Sequence, residues 1–363
     1  MLKKILVGFI QDGRHSGIDK YLLGFCSVAH ENGVMLDFMT DEITPEMNEY
    51  LKNLGYGLFA VPSLKNPVLQ YGAIKKIIRE NGYDCVYINI SESFNCMGLL
   101  AAKKCGVPVR IVHSHSSGVD RGNKYVRAVR TFIHRLFRHC VSTLSTRRLA
   151  CSSVAGKWMF DKDYEIIYNA VDGSRFAYDK AMREATRQSL GLADENVFIH
   201  IGHFSYTKNH FFLLDVMNEI LKSDKNAVLL SVGIGPDFDS VREYAKKLGI
   251  DNNIRFLGVR DDIPELMSAA DAFVFPSRFE GLSITCVEAQ FSGLPCILSN
   301  GISPETKLAD NVCFLPADNA ESWAACALSS ISQRKDAVLN RETLKNYDIV
   351  NQKKQLVSVL KGE

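Results

Sequence analysis

Ala272-Phe273-Val274-Phe275 is short, bulky and apolar at every position. Successive side chains of a strand point to opposite faces, so a run that does not alternate must be covered on both, which is the situation of a parallel strand sandwiched between helices. A glycine turn follows, and Leu282 to Ser292 is apolar at helical spacing until Gly293 ends it. A strand-to-helix turn of this kind is an anion site. Backbone N–H groups at a helix start lack intrahelical partners and share the positive end of the helix dipole, so Gly281, Leu282, Ser283 and the residues up to Thr285 are placed to bind phosphate. Two carboxylates flank the site. Glu280 lies in the turn, and six helical residues at about 1.5 Å each set Glu288 about 9 Å further along the axis. A pyrophosphate at the helix start, a sugar beside Glu280 and a ribose whose vicinal hydroxyls donate to Glu288 fit that span. The plain alternative is a solvated helix with two unrelated acids near its start, a common placement.

The same grammar runs through the chain. Strands are expected to begin near Lys4, Met35, Leu58, Cys85, Val109, Leu149 and Ile166, most followed by a helix-like segment such as Ile74 to Arg79 or Gly98 to Cys105. The pattern restarts with strands at Val197 to Gly202, Val228 to Gly233, Ile254 to Val259, Ala272 to Phe275, Cys296 to Leu298 and Val312 to Leu315. Between the halves, Asn169-Ala170-Val171-Asp172-Gly173 interrupts it with turn-forming residues. A length of 363 residues is long for one core, so two domains are expected. Two doubly wound α/β domains facing each other would bring their strand ends to a shared cleft.

A formal charge of +2 gives no reason to expect nucleic acid. None of the ten cysteines forms a CxxC pair, which argues against zinc and a redox dithiol, and their apolar settings suit a reduced, cytoplasmic compartment. The apolar run Ile5 to Ile10 is too short for a signal-peptide core, ends in Gln11-Asp12-Gly13-Arg14, and reads as a first strand. No segment is long enough to cross a bilayer. Charge is distributed unevenly: Arg121 to Phe160 holds nine Lys or Arg residues and no Asp or Glu.

Glu280-Gly281-Leu282-Ser283 followed by Glu288 resembles the E-x7-E motif of retaining glycosyltransferases of family 4 (glycosyl transferase group 1). The resemblance covers nearly the whole chain and implies the GT-B fold, two Rossmann-like domains facing a central cleft. Asn169-Ala170-Val171-Asp172 with Phe176 resembles the interdomain signature, and Tyr347-Asp348-Ile349 with the final apolar helix resembles the segment that returns to the first domain. The implied domains are 1–170 for the acceptor, with 347–363 packed back on it, and 171–346 for the nucleotide sugar. Val107 to Ser116, with its His113-Ser114-His115-Ser116 string, is similar to the capsular and exopolysaccharide branch.

The same resemblance assigns candidate sites. Gly202-His203-Phe204-Ser205-Tyr206-Thr207-Lys208-Asn209 resembles the family's G-R-x4-K motif, whose Arg and Lys hold the donor diphosphate. Lys208 fits directly, since fixed cations and dipoles must neutralise a leaving diphosphate in a metal-independent enzyme. His203 departs from the pattern, an imidazole of conditional charge where the family has Arg. Val232-Gly233-Ile234-Gly235-Pro236 is expected either to let backbone approach the nucleotide at Gly233 or to be a plain turn. Phe256 to Arg260, with Val259, resembles the segment that reads the base. Ser16-Gly17-Ile18-Asp19 resembles the family's G-G-x-E turn, with Gly17 near the phosphates. His113 and His115, two apart on a strand, point to one face at its carboxyl end, and the resemblance places one of them beside the donor sugar.

No metal or other cofactor is expected, because Asp237 reads as a helix cap and Asp161 as a turn residue despite D-x-D spacing. The expected activity is transfer of a hexosyl unit from a nucleotide sugar, a UDP-sugar, to a glycan or lipid-linked glycan. A nucleotide-sugar epimerase of the same fold and a non-catalytic sugar-nucleotide-binding partner stay open as alternatives. Lys124, Arg127, Arg130, Arg135 and Arg138, interleaved with Tyr125, Val126, Val129, Phe132, Ile133, Leu136 and Phe137, read as an amphipathic helix. It would place residues 121–148 on the anionic inner face of the cytoplasmic membrane, or else turn its apolar side to the core.

Overall fold

The computed structural model describes residues 2–10, 17–120, 122–334 and 341–362; Gln11-Asp12-Gly13-Arg14, Ser16 and Arg121 lie outside the described residues. The chain forms two units, Met1–Ala170 with Ile349–Glu363, and Val171–Asp348. The first holds β1 (Lys4–Gly8), β2 (Met35–Thr40), β3 (Gly57–Ala60), β4 (Cys85–Ile90), β5 (Val109–Ser114), β6 (Arg147–Ala150) and β7 (Glu165–Ile166), all parallel in the order β3-β2-β1-β4-β5-β6-β7. The second holds β8 (Val197–Ile201), β9 (Val228–Val232), β10 (Ile254–Gly258), β11 (Ala272–Phe275), β12 (Cys296–Ser299) and β13 (Val312–Leu315), parallel in the order β10-β9-β8-β11-β12-β13. In β4, β9, β11 and β12 every residue is buried, as unalternated apolar runs require.

In each sheet the order in which strands are added reverses once, between β1 and β4 and between β8 and β11. Crossovers leave such a pair of strands toward opposite sides, and the crevice at their carboxyl ends is where a doubly wound sheet binds ligands. Each unit therefore has one predetermined site.

The final helix, Ile349–Lys361, belongs to the first unit because its Leu356, Val359 and Leu360 are buried in that core with Leu22, Phe25 and Val28. Burial of each such side chain contributes about 1.5–3 kcal/mol. The helix is anchored further by Leu2 N–H donating to Leu360 O at 2.9 Å and Gln352 Nε2 donating to Tyr168 O at 2.8 Å. The return starts later than the expected residue 347. Tyr347 stays in the second unit, fully buried, with its hydroxyl donating to Glu305 O at 2.7 Å and its carbonyl accepting from Val171 N–H at 3.0 Å. The helix expected from Leu282 also starts later, at Ile284, with Gly281 to Ser283 in the turn, so the uninterrupted helical rise from Leu282 to Glu288 does not hold.

In the second unit, loops at the carboxyl edge touch through glycines. A Cβ on Gly235 would lie 2.4 Å from Phe204 O, and one on Gly301 would lie 2.1 Å from Arg278 O. These neighbours are backbone and cannot rotate away. Gly235→Ala and Gly301→Ala are each expected to destabilise the second unit by about 1–3 kcal/mol, the cost of overpacking. Gly72→Ala, in the helix Pro67–Asn81 with nothing near its Cβ, should instead stabilise by about 0.5–1 kcal/mol. Urea unfolding of the three variants checks both signs, and an unchanged midpoint for Gly301→Ala would mean the loops part freely.

Candidate active site

In the second unit, the loops after β8 and β11, the two strands at the reversal, supply the charged groups. Lys208 folds its stem across Gly202, where any Cβ would meet three of its carbons at 3.2 Å. Its ammonium lies 4.5 Å from the centre of the Phe275 ring and donates to Glu280 Oε1 at 2.5 Å. Cation and carboxylate, with side chains 18% and 14% exposed, compensate each other in a partly desolvated setting. Glu280 is fixed from behind by its N–H donating to Gly301 O at 3.2 Å. Beneath Lys208, His200 and His210 pack against Phe275 and Phe204. Burial pushes His200 down to about 3 and His210 well below the ordinary imidazole value. Both rings are neutral, so neither supplies positive charge.

The helix Ile284–Phe291 opens beside this pair, and Ser283 at its N-cap makes no side-chain capping bond. The unpaired N–H groups of its first turn and its dipole suit an anion. Glu288 lies inside this helix, 4% exposed. Gly233 has a left-handed φ of 129°, and a Cβ there would lie 2.1 Å from Gly202 O. Its first role is thus the close meeting of two loops, reinforced by its N–H donating to Gly258 O at 2.8 Å. Val259 is exposed next to Gly258, and His203 is exposed in the turn after β8.

Two further residues of this edge carry polar chemistry: Asn209, which closes the Gly202 to Asn209 string, and Arg278, which follows β11 and was not singled out. Asn209 has a left-handed backbone (φ 57°, ψ 44°), is 3% exposed, and donates from Nδ2 to Pro276 O at 3.3 Å. Arg278 donates to Asn209 Oδ1 at 2.6 Å and lies 4.6 Å from the Tyr206 ring centre. It borders a cavity of about 350 Å³ that Tyr206, Ser277 and Gly301 also line. A non-glycine residue in the left-handed region is an unusual demand, and Asn meets it most readily; Lys208-Asn209 ahead of a helix was the available signal.

In the first unit, Gly17 is the exposed first residue of the helix Gly17–Glu31. His113 is at the end of β5 and fully buried, with Nδ1 2.8 Å from the Tyr87 hydroxyl, itself 2.7 Å from the Tyr21 hydroxyl. His115 follows the strand, its ring 4.0 Å from that of His113, and its Nε2 lies 3.0 Å from Asn89 Oδ1. Burial holds His115 down at about 3, and burial together with His115 holds His113 well below the usual range. The spacing brought both rings to one side, but only His115 lies beyond the strand. Asn89, Tyr21 and Tyr87 come from other elements and were not singled out.

The helix Lys124–Leu144 is amphipathic as expected, and its apolar side does not turn to the core. Tyr125, Val129, Phe132 and Leu136, at 79%, 57%, 63% and 62% exposure, form one outward stripe. The side turned to the domain carries polar groups instead. Arg130 is paired with Glu92, Arg138 donates to the carbonyls of Lys157 and Phe160, and His134 accepts from Ser93 N–H at 2.9 Å. Arg130 and Arg138 are therefore committed to the protein. Asp161, one of the D-x-D aspartates, is 2.9 Å from His139 Nδ1.

Residues 182–346 match the family model described as glycosyl transferases group 1. Glycosyltransferase EpsF of Bacillus subtilis is 30% identical over 298 residues, 79% of this chain and 77% of that protein. The UDP-Gal:alpha-D-GlcNAc-diphosphoundecaprenol alpha-1,3-galactosyltransferase of Escherichia coli is 26% identical over 286 residues, 75% of this chain and 70% of that protein. Among solved structures, Anabaena HepE in complex with UDP and glucose superposes with a TM-score of 0.79 over 100% of both chains at 16% identity. At that identity the likeness is one of fold, the two-domain GT-B architecture.

The Lys208–Glu280 contact yields a direct test. Lys208→Met and Glu280→Gln should each destabilise the second unit by leaving one partly buried charge unopposed, and the double variant should be less costly than the sum. The expected coupling is about 0.5–3 kcal/mol, read from urea unfolding of the four proteins. Strict additivity would mean the two groups do not interact in solution.

Proposed function

Because this chain belongs to the glycosyl transferases group 1 family, we propose that it is a retaining, metal-independent hexosyltransferase of family 4. In this reading it uses a UDP-sugar as donor and a lipid-linked glycan of capsular or exopolysaccharide synthesis as acceptor. The observation that carries the proposal is the Lys208–Glu280 pair beside the open start of the helix Ile284–Phe291. An ammonium, unpaired N–H groups and a helix dipole converge there on the place a leaving diphosphate needs them, with a carboxylate at hand for sugar hydroxyls. UDP as the leaving group is supported by the donor named for the Escherichia coli galactosyltransferase and by the UDP bound in HepE. The acceptor class is supported by the diphosphoundecaprenol in the former's name.

Same-face transfer is the chemistry this reading takes. The acceptor hydroxyl oxygen bonds to the anomeric carbon on the face from which UDP leaves, the bond from that carbon to the β-phosphate oxygen breaks, and the hydroxyl proton passes to the departing phosphate. Lys208 and the helix start hold the developing charge, with His203 exposed in the same turn region. Glu280, tied to Lys208, orients hydroxyls of the transferred sugar, and Glu288 accepts from the ribose. Gly233 and Val259 border the base, and Gly281 to Ser283 the phosphates. This assignment needs no metal.

The acceptor's lipid suggests where the protein works. The exposed stripe Tyr125, Val129, Phe132 and Leu136, flanked by exposed Lys124 and Arg135, has the composition of a helix lying in an anionic interface. We place it on the cytoplasmic face of the membrane.

Incubation with UDP-sugars and a diphosphoundecaprenol-linked sugar, in the presence of a chelator, should yield an extended glycan with the donor's anomeric configuration. An isomerised donor would identify an epimerase, and binding without turnover a non-catalytic partner. Glu288→Ala should weaken UDP binding by about 1.5–3 kcal/mol in calorimetry, the range for hydrogen bonds to a charged group. Flotation on anionic vesicles at low salt should capture the protein, and Phe132→Ser with Leu136→Ser should release it. Failure of wild type to float, with a dimer in solution instead, would assign the stripe to a second copy.

A further inference from the structure

The first unit holds a group of neutral hydrogen-bonding side chains, and at Asn89 and His115 the direction of the bonds can be worked out. Asn89, 4% exposed near the end of β4, donates from Nδ2 to Gly8 O at 3.1 Å across to β1. Its amide is thereby oriented, with Oδ1 turned toward His115 Nε2 at 3.0 Å. A carboxamide oxygen only accepts, so Nε2 carries a proton. Since burial keeps the ring neutral, Nδ1 carries none and is a bare lone pair. That atom is buried and has no hydrogen-bond partner among the described residues. Buried polar atoms are nearly always satisfied, so an orphan acceptor calls for an explanation. It occurs next to the strand reversal between β1 and β4, where a doubly wound sheet receives its ligands.

His113 supports the arrangement without being able to replace it. Its ring lies 4.0 Å from that of His115 and is tied through Tyr87 to Tyr21 by bonds of 2.8 and 2.7 Å. Burial raises Tyr21 and Tyr87 above the usual phenol value. Every member of this group is therefore uncharged at neutral pH. It has no charge to relay, and what it does is fix the position of two rings.

We propose that Asn89 is a positioning residue, which locks His115 as its Nε2–H tautomer and so presents Nδ1 as a hydrogen-bond acceptor to a sugar hydroxyl. His115 then orients substrate and takes no proton during transfer. The sugar part of this inference rests on the glycosyltransfer reading; the tautomer part stands on the hydrogen bonds alone.

Nitrogen-15 NMR of the histidine-labelled full chain tests it, with the His115 signals identified by their loss in His115→Gln. Wild type at pH 7 should show Nε2 protonated and Nδ1 bare. Asn89→Ala should mix the tautomers and lower kcat for transfer tenfold or more while UDP affinity is unchanged. Asn89→Asp keeps an acceptor for Nε2–H but adds a carboxylate, which favours the imidazolium. Among the described residues, Tyr21 from the helix Gly17–Glu31 and His113 on β5 face His115, with Tyr87 on β4 bonded to His113 behind it, and none opposes that shift with a charge of its own at neutral pH. The cation has a proton on Nδ1 and cannot accept, so Asn89→Asp should transfer above the raised pKa and lose activity as pH falls through it. Wild type should lack this acid limb. A charged or Nδ1–H ring in wild type would overturn the proposal, as would Asn89→Ala keeping the Nε2–H form while transfer falls. The spectra decide the tautomer whether or not wild type transfers sugar, so failure of the functional reading is told apart from failure of this one.

Discussion

Strands buried on both faces must be clothed by helices on both faces, and a chain that winds outward from one strand in both directions leaves a crevice where the winding reverses. In the second unit β8 and β11 flank that point, and the loops that leave them carry Lys208 and Glu280. In the first unit β1 and β4 flank it, with Asn89 near the end of β4 and Gly17 opening the helix after β1. The position of each site is thus a consequence of how the apolar strands are ordered. The polar residues are the ones the crevice can use.

What such a crevice tolerates is limited by desolvation. A charge is kept there only when paired, and an imidazole only when neutral. Lys208 meets the first condition through Glu280, and His200, His210, His113 and His115 meet the second. The two units differ accordingly in the groups they present. The second presents paired charge and a helix start suited to a diphosphate, and the first presents neutral donors and acceptors suited to hydroxyls.

The helix Lys124–Leu144 follows a different rule. Its apolar stripe faces outward while Arg130, Arg138 and His134 turn inward to Glu92, to backbone carbonyls and to Ser93. Exposing four large apolar side chains costs the folded protein hydrophobic stabilisation, and an amphipathic surface of this kind is a mark of an interface with something apolar.

From the sequence by itself, the strands, the two-domain plan and the loops that carry Lys208, Glu280 and His115 could be read, because unalternated apolar runs and glycine turns are local signals that survive without tertiary context. Which way the arginines of Lys124–Leu144 face was not legible, since helical periodicity identifies two faces without saying which one the domain covers. Nor was the link between Asn89 and His115, which lie 26 residues apart, one on β4 and the other just past the end of the neighbouring β5. The start of the helix at Ile284 and the late return at Ile349 were likewise decided by packing, through the turn at Gly281 to Ser283 and the burial of Tyr347. Local pattern determined which residues reach the carboxyl edge of each sheet; contacts across the fold determined which of them meet, because register and burial depend on partners far away in the chain.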